Sequence, residues 1–220
     1  MEQIDRQLLL LLNGSDSTFL DSCFLTITRT STWIPLLLAL VFIVYRTSGA
    51  SDTPLRLKRL LLFAVAFALV IVICDQTASG ICKPLFHRLR PSHEPALYGL
   101  VDLVNGHRGG LYAFFSSHAA NSFGVATFPA LTLRNRLSTL TLFLWACLTS
   151  YSRIYLGFHY PSDILVGLLF GIFTGWFVYK LERRLLPTFA PSPSTPAASI
   201  HLLLPVAFVL TLTVVAIVSL

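Results

Sequence analysis

The sequence predicts an all-α polytopic membrane protein: a six-transmembrane helical bundle with an interfacial N-terminal helix. Three observations carry this. Charged residues make up 12% of the 220-residue chain and hydrophobic ones 55%, with a mean hydropathy of +0.73. A soluble domain carries roughly 25% charged residues, and a water-soluble fold with so little charge would expose an apolar, aggregating surface. The apolar residues gather into stretches near the roughly 20 residues that cross a hydrocarbon core, and the basic residues outside three polar clusters gather in alternate loops.

Taken in order, residues 3–12 are apolar but too short to cross, and are expected to lie along the interface as a helix. The first span is expected from about Phe19 to Tyr45, with Arg29 inside it. The second covers about Leu60–Cys82 and the third about Ser117–Leu133. The fourth covers about Leu137–Tyr155, the fifth about Ser162–Lys180 and the last about Ile200–Leu220. Residues 187–198 are rich in Pro and Ser and read as a linker. The chain therefore divides into a transmembrane domain at 1–186, the linker, and a C-terminal transmembrane helix at 199–220.

Arg46, Arg56, Lys58 and Arg59 lie between spans one and two, Arg134 and Arg136 between three and four, and Lys180, Arg183 and Arg184 after span five. The positive-inside rule makes these three loops cytoplasmic. Both termini and the remaining loops then fall on the opposite face. The start, Met1-Glu2-Gln3-Ile4-Asp5, has no basic stretch, so no cleaved signal peptide is expected.

The excess of 16 basic over 10 acidic residues, a net +6, fits anionic lipid or an anionic substrate. There is no basic run, and the basic residues sit beside apolar spans, which argues against nucleic acid. Cys23, Cys74, Cys82 and Cys147 lie in or next to the spans without metal-ligand spacing, and read as small apolar residues rather than disulfide partners.

Three clusters of polar residues fall at the outer ends of spans. The third is Ser152-Arg153, then His159, Pro161 and Asp163. Pro161 suits the first position of a helix, which puts Asp163 in the first turn within reach of the His159 imidazole. A carboxylate on one ring nitrogen leaves the other nitrogen's lone pair free to attack. A His–Asp pair that only caps the helix fits this cluster equally well. The second cluster is Phe115-Ser116-Ser117-His118, where serines can cap a helix whose free N–H groups bind anions. His118 could there protonate a leaving oxygen, although ordinary capping explains the cluster by itself. The first cluster holds Lys83, Arg88 and Arg90-Pro91. Such residues often snorkel to the interface, yet with Arg153 they could also neutralise a transferring phosphoryl group.

Taken together, the clusters resemble the type 2 phosphatidic acid phosphatase superfamily. Its pattern is Lys, six residues, Arg-Pro; then Pro-Ser-Gly-His; then Ser-Arg, five residues, His, three residues, Asp. The first and third parts match at every fixed position, and Ser116 and His118 match in the second. Phe115 stands for the Pro and Ser117 for the Gly, and the resemblance runs over 83–163. It implies that His159 is the nucleophile forming a phosphohistidine, Asp163 its orienting partner and His118 the acid. Lys83, Arg90, Ser116 and Arg153 would form the phosphate cradle. Ser117 can supply a backbone N–H to it provided the turn does not require positive φ. The resemblance implies no metal and no cofactor, and no carboxylate cluster here would hold a metal.

The resemblance also implies a bacterial inner-membrane enzyme with its site facing the periplasm. Its substrate would be a lipid phosphate, with lipid A and undecaprenyl diphosphate ranked first. Phosphatidylglycerophosphate and phosphatidic acid remain alternatives, as does phosphate transfer between lipids. A transporter would also explain intramembrane charge such as Arg29 and Asp75, but predicts a repeat and midplane charges on several spans. Asp75 is expected to have a structural partner, such as a basic residue on a neighbouring span, rather than to act in catalysis. His87, His93, Glu94, His107 and Arg108 line the loop between the first two clusters, and Gly106, Gly109 and Gly110 could make it mobile.

Overall fold

The computed structural model describes residues 2–48, 52–185 and 198–220, and these are mostly helical with no strand among them. The first helix, α1 (Glu2–Leu12), buries Asp5 and Leu9 and exposes Ile4, Leu8 and Leu11, the two-faced pattern of a helix against an apolar medium. It packs on the helices that carry the third cluster.

The stretch expected as one span at 19–45 is two helices. Helix α2 (Thr18–Ile27), capped by the Ser17 side chain, stops before Arg29, and α3 (Ile34–Thr47) follows a 3-10 turn at Thr30–Trp33. The break is satisfied locally. Thr32 Oγ1 donates to the Thr26 carbonyl at 2.6 Å, and Trp33 Nε1 donates to the Ile27 carbonyl at 2.8 Å. Pro35 falls in the first turn of α3, where its missing N–H is not needed. Only Thr30–Thr47 of this stretch is long and apolar enough to cross.

Helix α4 (Thr53–Asp75) starts on the Asp52 side-chain cap and runs on through a π-helical segment, Gln76–Cys82, into α5 (Lys83–Phe86). The left-handed His87 ends this 34-residue rod, which is longer than the expected 60–82 and carries Lys83 in its last turn. Helix α6 (Ser117–Leu133) has the expected bounds, and α7 (Arg136–Tyr155) and α8 (Pro161–Leu185) extend slightly past theirs. Helix α9 (Leu203–Val218) follows a 3-10 turn at Ala198–Leu202. The linker at 187–198 lies outside the described residues apart from Ala198.

Four helical segments are long and apolar enough to span a membrane: Thr30–Thr47, Thr53–Phe86, Pro161–Leu185 and Ser199–Val218. Helix α6 is different because it is the centre of the bundle. It packs on α4, α7 and α8 and is buried along most of its length, so it needs small residues more than lipid-facing apolar ones. Gly167, Gly171 and Gly175 form a stripe on α8 against it. A Cβ on Gly171 would meet the Ala120 carbonyl oxygen at 2.3 Å, and one on Gly167 would meet that of Ser116 at 2.6 Å. This close approach brings the first turn of α6 beside the first turn of α8. The lower core is aromatic, with Phe63 stacked on Phe128 at 5.1 Å and Trp33 on Phe208 at 5.7 Å.

Candidate active site

The ends of α5, α6, α7 and α8 meet where the three clusters converge. The turn between α7 and α8 is tight: Gly157 takes φ +69, and the N–H groups of Phe158 and His159 both donate to the Arg153 carbonyl, at 3.0 and 3.2 Å. Arg153 and His159 are thereby folded onto one another. Asp163, third in α8, reaches back to accept the Tyr160 N–H at 3.0 Å, as an acidic residue does in a capping box. Its backbone carbonyl accepts from the Ser116 N–H at 3.2 Å, which ties the second cluster to the third.

His159 and Asp163 are almost fully buried, and His159 Nδ1 lies 3.5 Å from Asp163 Oδ2 with no hydrogen-bond partner. Burial, then the charges of Arg90, Arg153 and Lys83, hold the His159 pKa well below its ordinary value. The imidazole is therefore neutral, with Nδ1 turned to the Asp163 carboxylate and the ring also hydrogen-bonded to the Ala113 backbone, which acts to raise the pKa against the larger effects. Ser116 caps α6, its Oγ accepting from the Ala119 N–H at 3.4 Å. His118, in the same first turn, is the one exposed side chain of the eight predicted, and it lies within electrostatic reach of Arg153, His159, Lys83 and Arg90.

The three cations have neutral hydrogen-bond partners. Lys83 Nζ donates to Ser79 Oγ at 3.1 Å and Ser117 Oγ at 3.4 Å. Arg90 Nε donates to the Tyr112 carbonyl at 3.2 Å, and Arg153 Nη1 to Thr28 Oγ1 at 2.7 Å. Both guanidinium groups also lie over the Phe158 ring, at 5.8 and 4.4 Å from its centre. Gly109, at φ +67, lets the loop pass Arg90 so closely that a Cβ would meet its Nη1 at 2.4 Å. Three like charges held together with neutral direct partners, against an aromatic face and with Asp163 and Asp75 acting only at longer range, leave a recess rich in positive charge that suits an oxyanion.

Arg88 is the cation that does pair with carboxylates. It donates from Nη1 to Asp163 Oδ1 at 2.7 Å and from Nη2 to Asp5 Oδ2 at 2.5 Å. Burial alone would lower its pKa, but Asp163 and Asp5 outweigh burial and raise it. The sequence counted Arg88 with the cations that could neutralise a phosphoryl group, whereas its guanidinium is taken up by Asp163 and Asp5; nothing in the sequence singled out Asp5. Among the described residues Asp75 has no hydrogen-bond or ion-pair partner on a neighbouring span. Its Oδ1 accepts from Ser79 Oγ at 3.5 Å, one step from Lys83 on the same rod. All four cysteines are free. Among the described residues no group of three or more His, Cys, Asp or Glu side chains could hold a metal ion.

The PAP2 superfamily profile matches residues 59–187, more than half of the chain and every cluster just described. The chain belongs to the PAP2 superfamily. It is similar to the lipid A 4'-phosphatase of Bacteroides thetaiotaomicron, with 39% identity over 84% of this chain and 80% of that one. It is likewise similar to the lipid A 4'-phosphatase of Porphyromonas gingivalis, with 37% identity over 89% of this chain and 81% of the other. Among solved structures it resembles Aquifex aeolicus LpxE with a TM-score of 0.57 and 27% identity, covering 79% of this chain and 93% of that one.

Where the chain departs from the PAP2 pattern, the geometry shows why the change is tolerated. Ser117 is an ordinary helical residue without positive φ, so the position needs no glycine. Its hydroxyl meets Lys83, adding a link between α5 and α6. Phe115, in place of Pro, packs against Phe170 at 5.2 Å.

Proposed function

We propose that this chain is a metal-independent lipid A phosphatase of the bacterial inner membrane, working from the periplasmic face through a phosphohistidine on His159. The observation that carries the reading is a buried, neutral His159 facing Asp163, surrounded by Lys83, Arg90 and Arg153, whose direct hydrogen-bond partners are all neutral. Lipid A is the substrate because the lipid A 4'-phosphatases match this chain over most of both lengths; its 4'-phosphate is the group removed.

Lys83, Arg90, Arg153 and the N–H groups opening α6 bind the non-bridging oxygens, with Ser116 and Ser117 at the entry. The His159 nitrogen turned away from Asp163 attacks phosphorus in line while Asp163 holds the proton on Nδ1. The P–O bond breaks, its electron pair leaves with the sugar oxygen, and His118 donates a proton there. Water then attacks the phosphohistidine and gives its proton to His118; the P–N bond breaks and phosphate is released. The His159–Asp163 separation is of the kind that tightens when substrate arrives. Its place at the mouth suits His118 to meet the leaving group, whereas the sunken His159 meets only phosphorus.

Basic loops at 46–59, 134–136 and 180–184 support a cytoplasmic position for the ends opposite the site, and with it six crossings. Helix α7 has 20 residues and α6 has 17, or about 30 and 26 Å at 1.5 Å per residue. Detergent-purified protein is expected to release phosphate from lipid A in the presence of EDTA, and faster than from undecaprenyl diphosphate, phosphatidylglycerophosphate or phosphatidic acid. Strict dependence on added metal would overturn the mechanism, and a preference for another lipid would overturn the substrate. Transfer of phosphate to an added acceptor lipid, rather than its release, would make the chain a phosphotransferase.

A further inference from the structure

The N-terminal helix α1 lies outside the three clusters, yet its one buried polar residue reaches the catalytic pair in two steps. Asp5 Oδ1 accepts the Ser162 N–H at 2.9 Å, and Oδ2 accepts Ser162 Oγ and Arg88 Nη2, both at 2.5 Å. Arg88 turns its other nitrogen to Asp163 Oδ1 at 2.7 Å and to Ser162 Oγ at 2.8 Å. Its guanidinium lies 4.1 Å over the Tyr160 ring, which fixes the plane. Asp163 is thus held by Arg88 on one oxygen, and by the Tyr160 N–H and the approach of His159 on the other.

We propose that Asp5 is a positioning residue for His159 and Asp163, acting through the shared guanidinium of Arg88; this rests on the reading of His159 as nucleophile. Two physical effects follow from the geometry. Ser162 N–H is one of the free donors that open α8, so Asp5 pins the turn carrying Asp163. Asp5 also divides the charge of Arg88. An arginine facing Asp163 alone would draw that carboxylate wholly to itself and weaken its hold on His159 Nδ1. An arginine shared between two carboxylates leaves Asp163 able to serve both partners. Arg6, the next residue on α1, pairs with Glu94 at 3.5 Å and fixes the helix against the loop on that side.

The test is steady-state kinetics of the full-length protein in detergent with lipid A. Asp5→Asn is expected to lower kcat about 10- to 100-fold, the range for a hydrogen bond between charged groups. KM should stay within about twofold, since Asp5 touches none of the phosphate-binding residues. Asp5→Glu should recover part of kcat, and in an Arg88→Gln background Asp5→Asn should add almost nothing. A helix that merely anchors the fold would instead give losses that add and a KM that rises with kcat's fall. Wild-type kcat in folded Asp5→Asn would overturn the inference. If that variant does not fold, Arg88→Lys decides, because lysine cannot bridge both carboxylates in one plane; wild-type kcat there overturns it equally. An inactive wild-type protein would instead count against the phosphatase reading itself.

Discussion

His159 Nδ1 stands 3.5 Å from Asp163 Oδ2, inside electrostatic reach and just beyond a good hydrogen bond. The pair is poised, with Asp163 already fixed by Arg88 and the Tyr160 N–H. Asp163→Asn keeps the shape but removes the charge that selects the tautomer. It is expected to lower kcat about 100- to 10,000-fold, as loss of the orienting carboxylate does in a triad, while vanadate, a mimic of five-coordinate phosphorus, still binds. Single-turnover kinetics and vanadate inhibition check the two halves separately.

The depressed pKa of His159 has a sign that can be tested. Above pH 6.5 the imidazole is neutral whether the chain is folded or unfolded, and its burial costs no charge. As pH falls through 6.5 the unfolded chain takes up a proton that the folded one refuses, so stability is lost. Thermal unfolding in detergent is expected to move to lower temperature from pH 7.5 to pH 5.5, and His159→Gln should flatten that slope. A slope unchanged by the substitution would contradict a His159 held neutral by burial.

Arg153 and Arg90 share the Phe158 face, and Arg153 also bonds Thr28 at the break between α2 and α3. Lysine keeps the charge but loses the plane. Arg153→Lys is expected to lower kcat/KM about 10- to 1,000-fold and to weaken vanadate inhibition in parallel. Phosphate-release assays over a vanadate series measure both.

Much of this was legible in the sequence because it depends on local spacing. Pro161, two residues before Asp163, sets the start of α8, and the bounds of α6 follow from Ser116 and the apolar run behind it. The eight predicted site residues converge for the same reason, since each lies at or beside a helix end. What was not legible is tertiary. The run at 19–45 is apolar on both sides of Arg29, and the bonds from Thr32 and Trp33 to freed carbonyls show why the helix stops there. Asp5 is one of two carboxylates on a short helix, and its importance comes from Arg88, 83 residues away. Asp75 faces its own helix because the π-helical segment carries Ser79 and Lys83 round beneath it.

The glycine stripe on α8 sets how closely the two halves of the site approach. Gly171→Ala places a Cβ against the Ala120 carbonyl oxygen, where backbone has to move. It is expected to destabilise the protein by about 1–3 kcal/mol and to reduce kcat, with both seen by thermal unfolding and phosphate release. Ser117→Gly, which restores the family pattern where φ is ordinary, is expected to keep kcat/KM within about fivefold, since it loses only the long contact to Lys83.

The covalent phosphohistidine on His159 is the centre of the account, and rapid quenching with lipid A carrying a labelled 4'-phosphate tests it most directly. The account predicts an acid-labile, base-stable label on the protein that maps to His159, accumulates within a single turnover, and is lost in His159→Ala together with activity. A label on another residue, or near-normal turnover by His159→Ala, would contradict it.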